Sequence, residues 1–111
     1  MEEHGVCVIK GVLSADEVEK GISMYWDKIE GLTKEGATKE AIKRDDIHTW
    51  KNYNWPSATS GFTTNWGISQ GECAWFIRTR PAVKQVFANI WKTDELLSSM
   101  DNFIVYRPWW F

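Results

Sequence analysis

The chain has 111 residues, of which 43% are hydrophobic and 25% are charged, and its formal net charge is −2. This length encloses one hydrophobic core, and the scattered basic residues exclude the clustered positive surface that nucleic-acid binding requires. No stretch has the apolar length of a membrane span or the pattern of a secretory signal, so we expect an intracellular, cytoplasmic protein.

Aromatic residues are the unusual part of the composition, with eight Trp, three Tyr and five Phe. Each ring buries roughly 150–250 Å² when a core encloses it, so these rings can supply much of a small core. The two cysteines, Cys7 and Cys73, are too few for a disulfide scaffold. Both lie in apolar surroundings and are predicted to be buried free thiols.

The first 30 residues predict a strand followed by a helix. Residues 6–9 form a short apolar, mostly β-branched run between Gly5 and Gly11, which favours a strand with a buried face. Ser14 and Glu17 then have the spacing of a capping box. The apolar residues that follow recur at steps of three and four, so we expect a helix over residues 15–30.

Residues 32–70 predict a long ordered loop, because glycine, asparagine, serine and proline interrupt the segment and no period persists. A loop of this length in a compact domain is either held down by its own side chains or shapes a site. We favour the first, through its aromatic residues Trp50, Tyr53, Trp55, Phe62 and Trp66.

Two further helix starts and a strand are predicted beyond the loop. Ser69 and Glu72 have the spacing of a second capping box, and Pro81 is typical of the first turn of a helix. The helix after Pro81 carries an apolar stripe, Thr93 has the position of a cap for one more short turn, and residues 103–106 form a strand-like run.

The C-terminal residues Trp109, Trp110 and Phe111 follow this strand with no polar residue after them. Burying three such rings stabilises a fold by about 10 kcal/mol as an upper estimate. Either the rings fold back onto the domain, or the chain is part of a longer architecture that covers them. We expect the second.

The residue types of a catalytic metal site are incomplete in this chain. A non-haem iron site needs two histidines and a carboxylate, with one histidine and the acid two positions apart on one strand face. Position i+2 is Val6 after His4 and Trp50 after His48, so neither histidine has the acid. Nucleophile elbows and phosphate-binding glycine loops are also missing. Adjacent carboxylates occur in pairs at helix starts or in a loop, where complementarity to the helix dipole or solvation explains them: Asp16 with Glu17, Asp45 with Asp46, and Asp94 with Glu95.

Two stretches carry core and cap residues in an order and spacing that match a known family. The first comprises Gly5, Val6, Val8, Ile9, Lys10, Gly11, Val12, Leu13, Ser14 and Glu17; the second comprises Gly67, Ile68, Ser69, Gln70, Trp75, Phe76, Arg78, Pro81, Val83, Val86, Phe87, Ile90, Trp91, Asp94, Leu96, Leu97, Ser99 and Asp101. Together they resemble the N-terminal region of phytanoyl-CoA dioxygenase-like proteins, which are iron(II)- and 2-oxoglutarate-dependent oxygenases. The resemblance spans residues 1–111 as part of a single domain.

This resemblance implies an α+β fold in which a helical buttress and the first strand or strands belong to a double-stranded β-helix, or jelly roll, with an incomplete barrel. The family's iron ligands, His-x-Asp and a distal His, and its cosubstrate arginine come after the matched region. The chain alone is therefore expected to be inactive, without catalytic or metal-binding residues of its own. Iron(II), 2-oxoglutarate and a small-molecule or lipid-like substrate are implied for the longer parent protein.

Arg107 is the one residue that the resemblance places near the cosubstrate. The family has a basic residue before a proline at the end of its first core strand, and this chain has Arg107 before Pro108. A guanidinium suits a dicarboxylate because it donates two parallel hydrogen bonds. The alternative for Arg107 is an arginine on the surface of an edge strand.

Two non-catalytic functions remain open from the sequence. A binding module would present a stacking platform for sugars or a peptide, formed by Trp50, Trp55, Trp66, Trp109 and Trp110. Three or more of these rings lying coplanar on one open face would favour it, whereas burial would exclude it. A scaffold remnant that has lost catalysis would need its C-terminal rings to be covered internally or by a partner.

Overall fold

A computed structural model describes residues 4–36, 38–56, 62–63 and 66–107. Its helices are α1 (Ala15–Gly31), α2 (Glu72–Arg78) and α3 (Pro81–Trp91), with 3-10 turns at Ile47–Thr49 and Ile68–Gln70. Strands β1 (Phe62–Thr63) and β2 (Phe103–Ile104) pair antiparallel, with Phe62 opposite Ile104 and Thr63 opposite Phe103. The three C-terminal rings of the sequence, at positions 109–111, lie outside the described residues.

Helix α1 begins with the predicted capping box. The Glu17 amide donates to Ser14 Oγ at 3.2 Å, and the Ser14 amide donates to Glu17 Oε2 at 3.0 Å. Two amide donors that the helix itself cannot satisfy are thereby paired. The prediction of this helix is confirmed, and its last residue is Gly31.

The core lies between α1, the loop that follows it and the start of α2. Ile29, Leu32 and Ile42 are almost completely buried there, and Trp55 and Ile68 pack on the same cluster. Residues of the loop thus bury their apolar side chains against α1. The favoured prediction for the loop was that its own aromatic side chains hold it against the domain. This prediction is confirmed for Trp50 and Trp55, whereas Tyr53 and Trp66 are exposed.

Two polar side chains fix the path of the loop. The buried Asn54 side chain accepts from the Glu40 amide at 2.9 Å and donates to the Glu40 carbonyl at 3.0 Å. Trp50 Nε1 donates to the Lys43 carbonyl at 2.7 Å. Backbone groups that form no regular ladder are paired in this way, which a buried loop requires.

Helices α1 and α2 approach each other at Gly21. Ile77 and Phe76 of α2 lie beside this glycine, 3.8–4.0 Å from where a Cβ would stand. Cys73 Sγ donates to the Gly21 carbonyl at 3.2 Å. Cys73 is buried as predicted, but Cys7 is exposed, so the prediction of two buried thiols is wrong for Cys7.

The predicted strand over residues 6–9 is wrong. These residues form no strand, and the exposed fractions of Val6 and Val8 are 66% and 80%. A β-branched run becomes a strand only where a neighbouring strand pairs with it. Within the described ranges, no strand pairs with residues 6–9.

The second capping box is also wrong. The N-cap of α2 is Gly71, which has no side chain, and Ser69 lies inside the preceding 3-10 turn. Gly67 has a positive φ of 67°, a left-handed conformation that glycine adopts without steric cost. This turn places the N-cap two residues beyond the predicted one, and the helix begins at Glu72.

Helix α3 begins at Pro81 as predicted, but most of its apolar stripe is not covered. Val83 and Val86 are half-buried, whereas Phe87, Ile90 and Trp91 are exposed. Residues 93–97 form no helical turn, although the Glu95 amide does donate to Thr93 Oγ1 at 3.1 Å. Among the described residues, no helix combines the length and the apolar character needed to cross a bilayer.

Candidate functional site

A cluster of five aromatic side chains, which we call the aromatic cluster, lies where α1, the loop and β2 meet. It consists of Tyr25, Trp26, Trp50, Trp55 and Phe103. Tyr25 stacks on Phe103 with ring centroids 5.5 Å apart, and Trp26 packs on Trp50 at 4.9 Å. Residues distant in sequence are joined here by ring contacts, each worth about 0.5–1.5 kcal/mol beyond its buried area.

Arg107 closes one side of the aromatic cluster. Its guanidinium lies over the Trp55 ring, 4.4 Å from the centroid. Nη1 donates to the Trp50 carbonyl, and Nη2 donates to Asn52 Oδ1 at 2.9 Å. The predicted cosubstrate residue is thus held against the loop by three contacts within the chain.

Burial lowers the pKa of Arg107 from its ordinary value, and the nearby Tyr25 phenol partly opposes this. An arginine stays protonated despite such a shift, because its ordinary pKa is far above neutral pH. For Tyr25, burial acts in the opposite direction and raises the pKa, so its hydroxyl is neutral at physiological pH. The cluster therefore presents one positive charge, and that charge is already hydrogen-bonded.

The two histidines are exposed and lie on different segments. His48 is in the 3-10 turn, and its backbone amide donates to Asp46 Oδ1 at 3.1 Å. Among the described residues, no group of three His, Cys, Asp or Glu side chains is arranged to hold a metal ion.

The adjacent carboxylates take part in local structure. Hydrogen bonds from Ser14 lower the pKa of Glu17 from its ordinary value, and Arg80 Nη1 lies 3.7 Å from Glu17 Oε1. Asp46 caps the 3-10 turn that contains His48. The capping role expected for Glu17 is thus present, whereas the cap formed by Asp46 was not expected from the sequence.

The described residues line a groove and a smaller cavity. A groove of about 660 Å³ runs between α3 and residues 96–101 and is lined by Val83, Phe87, Trp91 and Leu97 among others. A second cavity of about 390 Å³, which we call the Tyr25 cavity, lies between α1, residues 66–73 and Phe103.

The side chain of Tyr25 lines the second cavity and has an unusual hydroxyl. Tyr25 is 8% exposed, and its hydroxyl finds no hydrogen-bond partner within the described part of the chain. A buried hydroxyl without a partner costs about 1–3 kcal/mol, so most proteins avoid it. The sequence did not predict this feature, because Tyr25 there is simply one apolar position on the face of α1.

The proposed tryptophan platform does not include its first two rings. Trp55 is 6% exposed and Trp50 is half-buried in the aromatic cluster, whereas Trp66 is 44% exposed. Trp109 and Trp110 lie outside the described residues. Any open stacking face would therefore have to form without Trp50 and Trp55.

Comparison with known proteins gives one partial similarity. Ava biosynthesis cluster protein O from Aspergillus versicolor is 35% identical over 63 residues, which are 57% of this chain and 20% of that protein. The matched part is thus about a fifth of the length of this curated relative. No family model matches the chain, and no solved structure matches it.

Proposed function

We propose that this chain is the non-catalytic N-terminal buttress of a longer iron(II)- and 2-oxoglutarate-dependent oxygenase that resembles phytanoyl-CoA dioxygenase. The parent protein would hydroxylate a small-molecule or lipid-like substrate in the cytoplasm. The relative's name assigns that protein to a biosynthesis cluster, which suits an enzyme of this kind in the parent.

The alternating burial of residues 103–107 carries this proposal. Phe103, Val105 and Arg107 face the aromatic cluster and are half-buried, whereas Ile104 and Tyr106 are exposed. A strand with large apolar or aromatic residues on both faces is typical of a sheet that is covered on both sides. Here the inner face packs on the core, and the exposed outer face would receive the rest of a barrel in the longer protein.

The exposed apolar residues of α3 support the same proposal. Phe87, Ile90, Trp91 and Leu97 together leave more apolar surface open than scattered single residues do. Contiguous apolar surface of this kind marks contacts with other polypeptide. Within a longer oxygenase this surface would pack against the remaining part of the domain.

The described residues of this chain do not fit the iron that the parent would require. The described side chains include no three-ligand group, so the metal ligands would have to come from another part of the parent protein. Arg107 fits 2-oxoglutarate only in part, because both of its Nη atoms already donate to Trp50 and Asn52. We therefore assign Arg107 first to fixing the end of β2, with a contact to the cosubstrate as a second role.

The gene beyond codon 111 tests this proposal. We expect the next hundred or so codons to encode a His-x-Asp followed much later by His and Arg. The longer product should convert 2-oxoglutarate to succinate in the presence of iron(II) and oxygen, and residues 1–111 alone should not. A stop codon directly after Phe111, or a longer product without those residues, would contradict the proposal.

A further inference from the structure

The groove between α3 and residues 96–101, which we call the α3 groove, has two walls of opposite charge. On the side of α3, residues 81–92 contain two lysines and no acidic residue. On the other side, residues 93–101 contain three acidic residues and no basic one. Lys84 of the first wall and Asp101 of the second both line the groove. A basic wall and an acidic wall therefore lie side by side on one surface.

The charges of the two walls are not used up within the chain. Lys84 and Asp101 take part in no ion pair within the described ranges. The third charged residue of the groove, Arg78, donates to the Ser69 and Asp101 carbonyls at 3.0 Å each. Arg78 thereby holds the end of the acidic wall in place. The Lys84 and Asp101 side chains remain available to a molecule that covers the groove.

The surface between these charges is apolar and open. The exposed fractions of Phe87 and Trp91 on α3 are 51% and 69%, and Leu97 on the opposite wall is fully exposed. Exposed apolar surface with a polar rim marks contacts with other polypeptide, and tryptophan is among the residues that contribute most to them.

We infer that a second copy of this chain covers the α3 groove, related by a two-fold axis that runs along the groove. This axis sets the basic wall of each copy against the acidic wall of the other, so Lys84 of each copy faces Asp101 of the other. An axis across the groove would instead oppose like charges. A partner of a single charge would satisfy only one wall, whereas a second copy satisfies both.

The dimer is a property of residues 1–111 on their own and does not rest on the proposed oxygenase. In the longer protein, the rest of the domain would cover the same surface. Failure of the dimer would leave the oxygenase proposal standing, and its presence would not establish that proposal.

Sedimentation equilibrium of residues 1–111 at neutral pH and low ionic strength tests for the dimer. We expect a dimer that dissociates on dilution and that weakens at about 0.5 M salt, because salt screens the exposed charges. A monomer at every concentration between about 1 and 200 µM would overturn the inference.

A charge exchange tests the direction of the two-fold axis. Lys84→Asp and Asp101→Lys should each raise the dimer Kd about tenfold, because every contact occurs twice in a two-fold interface. The double variant carries the two charges exchanged and should recover the original Kd to within about threefold. Lys34→Asp, at an exposed lysine outside the groove, is the control and should leave the Kd unchanged. A double variant no better than the single variants would overturn the inference.

An apolar variant locates the contact independently of charge. Leu97→Ser changes a fully exposed side chain, so it should leave the fold intact and weaken the dimer at least tenfold, as about 1.4 kcal/mol of lost burial would. Val8→Ser is the matched control, since Val8 is also exposed but does not line the groove, and it should leave the Kd unchanged. Unchanged dimerisation of Leu97→Ser would place the contact on another surface and overturn the inference.

Discussion

The hydroxyl of Tyr25 makes a prediction about stability that does not depend on any ligand. Because this group is buried without a partner in the described part of the chain, Tyr25→Phe should raise the free energy of unfolding by about 1 kcal/mol. Urea denaturation followed by circular dichroism measures the change. A destabilised Tyr25→Phe variant would mean that the hydroxyl has a partner.

Arg107 has three contacts that lysine cannot reproduce together. Its guanidinium lies over Trp55 and donates to Trp50 and Asn52 from separate nitrogen atoms. Arg107→Lys keeps the charge but loses the two separate Nη donors of the guanidinium, and should destabilise the chain by about 1–2 kcal/mol. Lys84→Arg, a change at an exposed position of α3, is the matched control and should stay within about 0.5 kcal/mol of the unaltered chain. If Arg107→Lys were equally neutral, the guanidinium would not fix the strand.

The sequence singled out Arg107 but did not predict the residues that surround it. Its position before Pro108 drew attention through the family resemblance, whereas its partners Trp50 and Asn52 are more than 50 residues away. Contacts at such separation depend on how the loop folds, which local periodicity does not report. The missing partner of the Tyr25 hydroxyl could not be predicted from the sequence for the same reason.

At the scale of elements, two glycines should respond in opposite directions to alanine. Gly21 lies inside α1, and an added Cβ would come no closer than 3.8 Å to Ile77, an ordinary contact. Gly21→Ala should therefore stabilise the chain by about 0.5–1 kcal/mol, because alanine favours the helix.

Gly67→Ala is the matched comparison. A Cβ added at Gly67 would meet open space, but the positive φ of 67° at this position is unfavourable for alanine. This variant should lose about 1 kcal/mol through backbone strain alone. Thermal or urea unfolding of both variants checks the pair; a destabilising Gly21→Ala would show that α1 and α2 pack more tightly than described.

Arg44 joins α1 to the loop and makes part of the stability depend on pH. Its backbone amide and side chain donate to Glu30 at 2.7–3.1 Å, and these hydrogen bonds hold the pKa of Glu30 below its ordinary value of 4.5. A carboxyl whose pKa falls on folding stabilises the fold above its unfolded pKa, and this contribution is lost as pH falls through the folded pKa.

Glu30→Gln should therefore be less stable than the unaltered chain at about pH 7, and the difference should shrink towards about pH 3. Urea midpoints at the two pH values measure it. Glu19→Gln is the control, an exposed position on α1 that makes no contact with Arg44. Its stability difference from the unaltered chain should not shrink in the same way between the two pH values. A difference for Glu30→Gln that is the same at both pH values would contradict the role of this contact.

Helix ends were predictable where the determining residues are adjacent in sequence. The Ser14–Glu17 capping box and the proline at the start of α3 are both present. Prediction was wrong where a distant or competing interaction decides: residues 6–9 have no strand to pair with in the described ranges, and the turn at Gly67 displaces the helix start from Ser69. The apolar periodicity of α3 also did not indicate which part of its apolar stripe would be covered.

At the scale of the whole molecule, the described residues combine a well-buried centre with an uncovered exterior. Ile29 and Leu32 are fully buried, while apolar residues of α3, residues 96–100 and β2 remain open. A domain of this size that stands alone rarely leaves so much apolar surface exposed. We propose that the rest of a barrel covers it, and the partial match to a much longer relative suits that arrangement.

Calorimetric titration of iron(II) in the presence of 2-oxoglutarate, without oxygen, tests the central proposal most directly. It is carried out on residues 1–111 and on the longer gene product. We expect no specific iron binding to residues 1–111, because the described side chains offer no three-ligand group, and one iron per chain for the longer product. A stoichiometric iron site in residues 1–111, or none in the longer product, would contradict the account.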